Sequence, residues 1–161
     1  MERLYAPWRI LYIQAPKKEE GCIFCMALEK PDDRYVIDFN DKAMVIMNIY
    51  PYNPGHLMVA PIRHIADISS LNDEERREIW RFVEKSVNVL KKVMNPEGFN
   101  IGMNLGLVAG AGVKDHMHIH VVPRWCGDSN FMPVLSDTKV LGESLDETYR
   151  KIRGEWFNGG T

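Results

Sequence analysis

Three of the chain's five histidines alternate with apolar residues in the run DHMHIHVVPRW, which occupies positions 115–125. An alternation with a period of two predicts a half-buried β-strand, in which side chains at i, i+2 and i+4 share one face. At a rise of about 3.3 Å per residue, His116, His118 and His120 are expected to form a row roughly 13 Å long. Pro123 lacks an N–H donor and is expected to end the strand. Three imidazoles on one face indicate chemistry rather than an ordinary solvent-facing strand.

Metal binding is one chemistry open to this row. Three imidazoles and a carboxylate can hold a zinc ion whose bound water attacks a substrate, as in metallohydrolases. In an extended strand, however, the outer rings stand roughly 13 Å apart, too far to share one ion at bonds of about 2.1 Å without strong backbone bending. A catalytic metal therefore stays an alternative interpretation of the row.

Nucleophilic catalysis by imidazole is the other chemistry. A neutral histidine, with a reference pKa of about 6.5, is a good nucleophile near pH 7. Attack on phosphorus splits a difficult displacement into two easier steps through a covalent intermediate. His118, the middle residue, has a neighbour on either side to orient its ring and to assist the leaving oxygen. The Gly/Ala-rich run at 105–115 offers backbone N–H groups for phosphate oxygens, and a flexible hairpin loop is the alternative interpretation of this run.

Composition limits the classes of partner. The chain has 161 residues, 45% of them hydrophobic and 26% charged, which is typical of one globular domain spanning 1–161. A net charge of −2 gives no general attraction to nucleic acid or to an anionic membrane. No apolar run approaches the roughly 18 residues of a membrane span, and the N-terminus lacks a signal-peptide pattern. We therefore expect a cytoplasmic protein that binds neither nucleic acid nor membrane.

Two of the three cysteines, Cys22 and Cys25, form a CxxC pair. Without a secretion signal, such a pair indicates metal binding or redox chemistry before a disulfide. Two thiolates at this spacing can share one zinc ion if two further ligands come from elsewhere. The redox interpretation needs a thioredoxin-like βαβ setting, which the following sequence does not supply. Two buried structural thiols remain the alternative, and Cys126 is left as an unassigned loop thiol.

Short apolar runs separated by turn residues predict antiparallel strands with one long helix among them, an α+β fold. Asn72 and Glu75 form a capping-box pattern, and Asn95 with Pro96 marks the end of that helix. An N-terminal arm is expected at 1–21 and a C-terminal extension at 132–161. The predicted strands are 35–38, 43–48, 56–61, 99–104 and the histidine strand; the predicted helices are 72–94, with an apolar stripe at Ile79, Val83, Val87, Leu90 and Met94, and a short one at 144–156.

The histidine run carries a resemblance to a known family. Residues 116–122 read His-φ-His-φ-His-φ-φ, where φ is apolar, and this resembles the motif of the histidine triad family. The segment PGHLMVAP at 54–61, followed by Arg63 and His64, and the CxxC pair also resemble that family. The likeness extends over most of the chain. It implies an antiparallel sheet of about five strands with helices, commonly paired into a homodimer, and a nucleotide substrate.

The resemblance also implies roles for individual residues. His118 matches the nucleophile that becomes nucleotidylated, His120 the residue that contacts the scissile phosphate and the leaving oxygen, and His56 a histidine that lies against the nucleophilic ring. The implied substrate-binding positions are Asn48 for the ribose hydroxyls, Asn104 near the phosphates, and Gly110 and Gly112 in the glycine-rich loop.

Zinc is the cofactor that the resemblance implies. In zinc-containing members the CxxC pair is completed by two histidines, and the matching positions here are Cys22, Cys25, His64 and His116. Four such ligands make a closed, structural type of zinc site. Fixing His116 in this way would also fix the orientation of the strand that carries the next histidine of the row.

Departures from the pattern bear on the reaction. Hydrolase members carry Gln and then Ser or Thr shortly before the triad, whereas positions 111–115 here read AGVKD. The runs at 4–9 and 123–131 look like those of the bacterial diadenosine tetraphosphate phosphorylase branch, in which inorganic phosphate accepts the nucleotidyl group. We therefore expect cleavage of dinucleoside polyphosphates, with phosphate favoured over water. The alternatives are a phosphoramidate or dinucleotide hydrolase and a nucleotide-binding regulatory module with little turnover.

Overall fold

The computed structural model describes residues 21–132, 135 and 141–159. The expected N-terminal arm therefore lies outside the described residues except for Gly21, as does part of the expected C-terminal extension. None of the described helices has both the length and the apolarity that crossing a membrane requires. The strands are β1 Val36–Phe39, β2 Ala43–Met47, β3 Leu57–Pro61, β4 Gly98–Gly102 and β5 Ile119–Arg124, and the α-helices are α1 Ile23–Ala27, α2 Asp73–Met94 and α3 Leu145–Asn158.

The five strands form one antiparallel sheet in the order β1-β2-β3-β5-β4, which confirms the predicted α+β class. The first three strands follow one another as a meander. The chain then passes through α2 into β4, and β5 returns to lie between β3 and β4. His120 on β5 therefore stands in register with Met58 on one side and with Gly102 on the other.

Helix α2 covers one face of the sheet. Its N-terminus has the predicted capping box, in which the Asn72 side chain accepts from Glu75 N–H and the Glu75 carboxylate accepts from Asn72 N–H. These bonds satisfy two of the donors that a helix start leaves open. The predicted apolar stripe faces the core: Ile79, Val83 and Leu90 are buried there, and Val87 and Met94 pack against them.

The opposite face is covered over only part of its width. Phe24 and Ala27 of α1 pack on side chains of β1, β2 and β3, and they form a second apolar cluster there. The sequence did not predict α1, because five residues are too few to show a helical period. Next to this cluster, the β4–β5 part of the same face borders a cavity.

The histidine run departs from the predicted strand at both ends. Strand β5 begins at Ile119, so His116 and His118 precede it rather than lie within it. Pro123 does not end the strand but pairs with Phe99 inside it. Strand β3 pairs with β5 only as far as Val121, so the missing N–H of Pro123 falls beyond the end of that neighbour.

Candidate functional site

His118 has one hydrogen-bonded nitrogen and one open nitrogen. Its Nδ1 lies 2.9 Å from the carbonyl oxygen of His116. A carbonyl only accepts, so Nδ1 carries the proton and Nε2 of the neutral ring keeps a lone pair. The ring is 5% exposed and packs against Phe24 at 4.9 Å between centroids. Nε2 has no hydrogen-bond partner among the described residues. Every fully buried side-chain nitrogen of those residues does have one, so Nε2 is in contact with solvent.

The charge state of His118 suits a nucleophile. Burial lowers the pKa of His118 below its ordinary 6.5, although the bond to the His116 carbonyl opposes this change. A buried imidazole avoids the cost of carrying a charge away from water. The ring is therefore neutral near pH 7, with its lone pair on the nitrogen that faces outward.

His56 and His120 form a short hydrogen-bonded chain. Tyr52 N–H donates to His56 Nδ1 at 3.1 Å, and His56 Nε2 lies 2.9 Å from His120 Nδ1. Because a backbone N–H can only donate, neutral His56 carries its proton on Nε2 and donates it to His120. Neutral His120 must then carry its own proton on Nε2. These two hydrogen bonds therefore make Nε2 of His120 a hydrogen-bond donor.

The rings of His56 and His120 are both uncharged at neutral pH. Burial, and then the charges of His120 and His118, lower the pKa of His56 to about 3. Burial, and then the charge of His118, lower the pKa of His120 to about 4. At neutral pH the site therefore contains neutral imidazoles whose tautomers are fixed by their partners.

The three rings of the run do not form the expected uniform row. The His118 and His120 centroids are 4.8 Å apart with the planes near perpendicular, closer than the roughly 6.6 Å rise over two residues of a strand. His116 instead turns toward the cysteines. The run thus divides its histidines between two sites, because only its last histidine has the backbone conformation of β5.

Cys22, Cys25, His64 and His116 come together as the resemblance implies. Their ligand atoms all lie within 4.8 Å of one another, with His116 Nδ1 3.2 Å from Cys22 Sγ and His64 Nδ1 3.5 Å from Cys25 Sγ. Two thiols and two imidazoles are the ligand set of a structural zinc site. Across the described ranges, no other such group of three or more potential ligands is found.

The hydrogen bond of His116 Nε2 leaves Nδ1 of the same ring able to bind a metal. Its Nε2 lies 2.8 Å from the carbonyl oxygen of Pro61, so Nε2 donates and Nδ1 keeps its lone pair toward the thiols. Metal-bound histidines commonly donate their other N–H to a carbonyl in this way. The donor set therefore fits zinc in number, type and proton position. His118 and His120 do not belong to it.

A cavity of about 470 Å³ adjoins His120 on the β4–β5 part of the sheet. Arg124 lies on its wall and donates through Nε and Nη2 to the Asp128 carboxylate and through Nη1 to Asn100 Oδ1. Asp128 also accepts from Asn53 Nδ2 at 2.7 Å, and these donors hold the pKa of Asp128 well below its usual range. The sequence analysis did not find this network. Arg124 and Asp128 are four residues apart, but Asn100 lies 24 residues from Arg124 and Asn53 lies 75 residues from Asp128.

Of the predicted substrate-binding residues, one lines the cavity and three do not. Asn104 lines the cavity beside His120. Asn48 follows β2, where its N–H donates to the His56 carbonyl and its Oδ1 accepts from Tyr50 N–H, and it is not part of the cavity lining. Gly110 N–H donates to a carbonyl within the loop, so in this conformation it is engaged there, and Gly112 is exposed.

Comparisons with known proteins give a consistent result. A family model described as the HIT domain matches residues 29–126. An AP-4-A phosphorylase from Mycobacterium tuberculosis is 38% identical over 165 residues, covering 97% of this chain and 85% of that protein. A histidine triad nucleotide-binding protein from Sulfolobus tokodaii, itself called hypothetical, has a TM-score of 0.68 at 25% identity, covering 85% of this chain and 93% of that one. A Zn-bound histidine triad protein from Mycobacterium smegmatis matches in fold, with a TM-score of 0.69 at 24% identity over 86% and 94% of the two chains.

Proposed function

The chain belongs to the HIT family, and on that basis we propose that it is an enzyme that cleaves dinucleoside polyphosphates such as diadenosine tetraphosphate, through a nucleotidyl group carried on His118. The observation that carries the proposal is the lone pair on the solvent-facing Nε2 of this ring. The similarity to an AP-4-A phosphorylase over nearly the whole chain supports the substrate class.

In the first step, the lone pair of His118 Nε2 forms a bond to the α-phosphorus. The bond from phosphorus to the bridging oxygen breaks, and its electron pair leaves with ATP. The nucleotidylated ring then carries a positive charge, and its Nδ1–H still donates to the His116 carbonyl. No proton has to move in this step, so a neutral nucleophile with a fixed tautomer is sufficient.

His120 assists by donating a hydrogen bond from Nε2 to the departing oxygen. Its pKa of about 4 keeps it neutral at pH 7, so it stabilises negative charge without supplying a full proton. A terminal phosphate leaves readily as an anion and needs no more than this. The arrangement therefore suits a nucleoside polyphosphate as leaving group better than an amine, which must be protonated to leave.

In the second step, an oxygen of inorganic phosphate bonds to phosphorus, the bond from phosphorus to Nε2 breaks, and ADP is released. The electron pair of that bond returns to the ring of His118. A phosphate oxygen is already anionic and needs no base. Water would need one, and neutral His120 already carries a proton on Nε2. This difference supports phosphate over water as acceptor.

We further propose that Cys22, Cys25, His64 and His116 hold a zinc ion. When bound, zinc would supply a structural cross-link between α1, the segment that follows β3 and the segment that precedes β5. The chain's own contribution is the carbonyl of His116, which holds the proton of His118 on Nδ1.

The test is a comparison of wild type with His118→Ala on diadenosine tetraphosphate. We expect turnover to fall by a factor of about 10³ or more, because no other described group replaces the nucleophile. Mass spectrometry of the wild type should find an AMP mass on the peptide containing His118. Full turnover by a folded His118→Ala variant would overturn the proposal.

The acceptor is identified by the products. We expect ADP plus ATP only when phosphate is added. AMP plus ATP formed without phosphate would instead identify a hydrolase. Both outcomes are read from the same chromatographic separation of nucleotides.

A further inference from the structure

The cavity beside His120 is larger than a phosphate group requires. Its volume of about 470 Å³ lies within the range of roughly 300–1,000 Å³ that small-molecule sites occupy. His120 and Tyr52 lie on its wall, whereas His118 does not. The described lining consists of Tyr52, Asn53, Asn100, Ile101, Gly102, Met103, Asn104, His120, Val122, Arg124 and Ser129.

We propose that this cavity binds the leaving half of the dinucleotide, a nucleoside polyphosphate such as ATP. The inference rests on the proposed function of His118. In an in-line displacement, the leaving oxygen departs on the side of phosphorus opposite the attacking nitrogen. The donor placed for that oxygen is Nε2 of His120, so the chain of phosphates beyond it continues into the cavity that His120 lines.

The charges on the cavity wall suit a polyphosphate. No Asp or Glu is among the described lining residues, and Arg124 supplies a cation. A guanidinium has five N–H groups, of which three are used by Asp128 and Asn100. The Asp128 carboxylate is only 9% exposed and accepts four hydrogen bonds, and two N–H groups of Arg124 have no partner among the described residues.

Neutral groups around Arg124 suit the rest of a nucleotide. The amides of Asn100 and Asn104 and the hydroxyl of Ser129 offer hydrogen bonds to ribose and phosphate oxygens. The Tyr52 ring is 56% exposed and lies 28° from parallel to the His120 ring, at 5.8 Å between centroids. Its open surface gives a base an aromatic ring to stack on.

Gly102 is the position at which the room inside the cavity can be tested. It lies on β4 in register with His120, and a Cβ built there meets no atom of the described residues within 4 Å. Its φ lies outside the left-handed region, so a larger residue causes no backbone strain. A side chain at this position would therefore extend into the cavity without disturbing the fold.

The test compares Gly102→Leu with Gly98→Leu, a matched control. Gly98 lies on the same strand, also has open space at its Cβ, and is not in the cavity lining. The substrates are diadenosine tetraphosphate and the p-nitrophenyl ester of AMP, whose leaving group is small. We expect Gly102→Leu to lower kcat/KM for the dinucleotide by roughly 10- to 200-fold, and to change it for the ester by no more than about twofold. Gly98→Leu should leave both values near those of the wild type.

Binding separates this inference from the proposed function. On a His118→Ala background, Gly102→Leu should weaken calorimetric binding of diadenosine tetraphosphate by a similar factor while leaving AMP binding unchanged. If the wild type turns over neither substrate, the proposed function fails, and this binding difference still decides whether the cavity takes the second nucleotide. Equal losses on both substrates, or no loss on either, would overturn the inference.

Discussion

The five histidines of the two sites differ in the atoms that their nitrogens contact. His116 Nε2 donates to Pro61, and His118 Nδ1 donates to the His116 carbonyl. The sequence indicated which rings could do chemistry, and the resemblance assigned roles to them. It could not give the tautomers, because each tautomer depends on a carbonyl or an amide that only the folded chain brings near. Pro61 is 55 residues from the ring it contacts.

The acid side of the pH profile reports on His118. Its pKa is lowered by burial, so the neutral form of the proposed nucleophile persists as pH falls through 6.5 and is lost only below that value. We expect kcat/KM for diadenosine tetraphosphate, measured from about pH 4 to 8, to decline with an apparent pKa below 6.5. An acid limb at or above 6.5 would contradict a buried nucleophile.

At the scale of elements, α1 contacts both the Cys/His cluster and the ring of His118. Cys25 lies in α1 and Cys22 caps it, while the Phe24 ring lies 4.9 Å from those of both His116 and His118. The sequence predicted most strands from apolar runs between turn residues, and the long helix from its apolar stripe and its caps. It missed this helix and the late start of β5, since both depend on tertiary contacts rather than on a repeating pattern.

Removal of zinc should affect both the stability of the fold and the position of His118. We expect about one zinc per chain, and we expect chelation to lower Tm by roughly 5 °C or more as well as to slow nucleotidylation of His118. Cys22→Ser should lose the metal. Cys126→Ser is the matched control, because that thiol is exposed and outside the cluster. Equal zinc content in the two variants would contradict the assignment.

At the scale of the whole molecule, buried neutral histidines make stability depend on pH. Unfolded histidines have pKa values near 6.5, whereas those of His56 and His120 are lowered to about 3 and 4 in the fold. The unfolded chain therefore binds more protons in acid, so this stabilisation is complete above pH 6.5 and declines as pH falls toward 4.

Urea unfolding at several pH values tests this. We expect the free energy of unfolding to fall steadily from about pH 7 to pH 5, and His56→Asn to show a shallower slope. A wild-type stability that does not change over this interval would contradict the burial of neutral rings.

The homodimer and the cytoplasmic location expected from the sequence remain predictions. Sedimentation can test the homodimer.

The position of β5 in the sheet has a consequence for synthesis. Because β5 lies between β3 and β4, neither strand has that neighbour until residues 119–124 have left the ribosome. The bond between His56 and His120 joins rings 64 residues apart and forms only at that moment. A nascent chain that stops short of this point carries its first strands and its long helix but lacks the ring that His56 contacts.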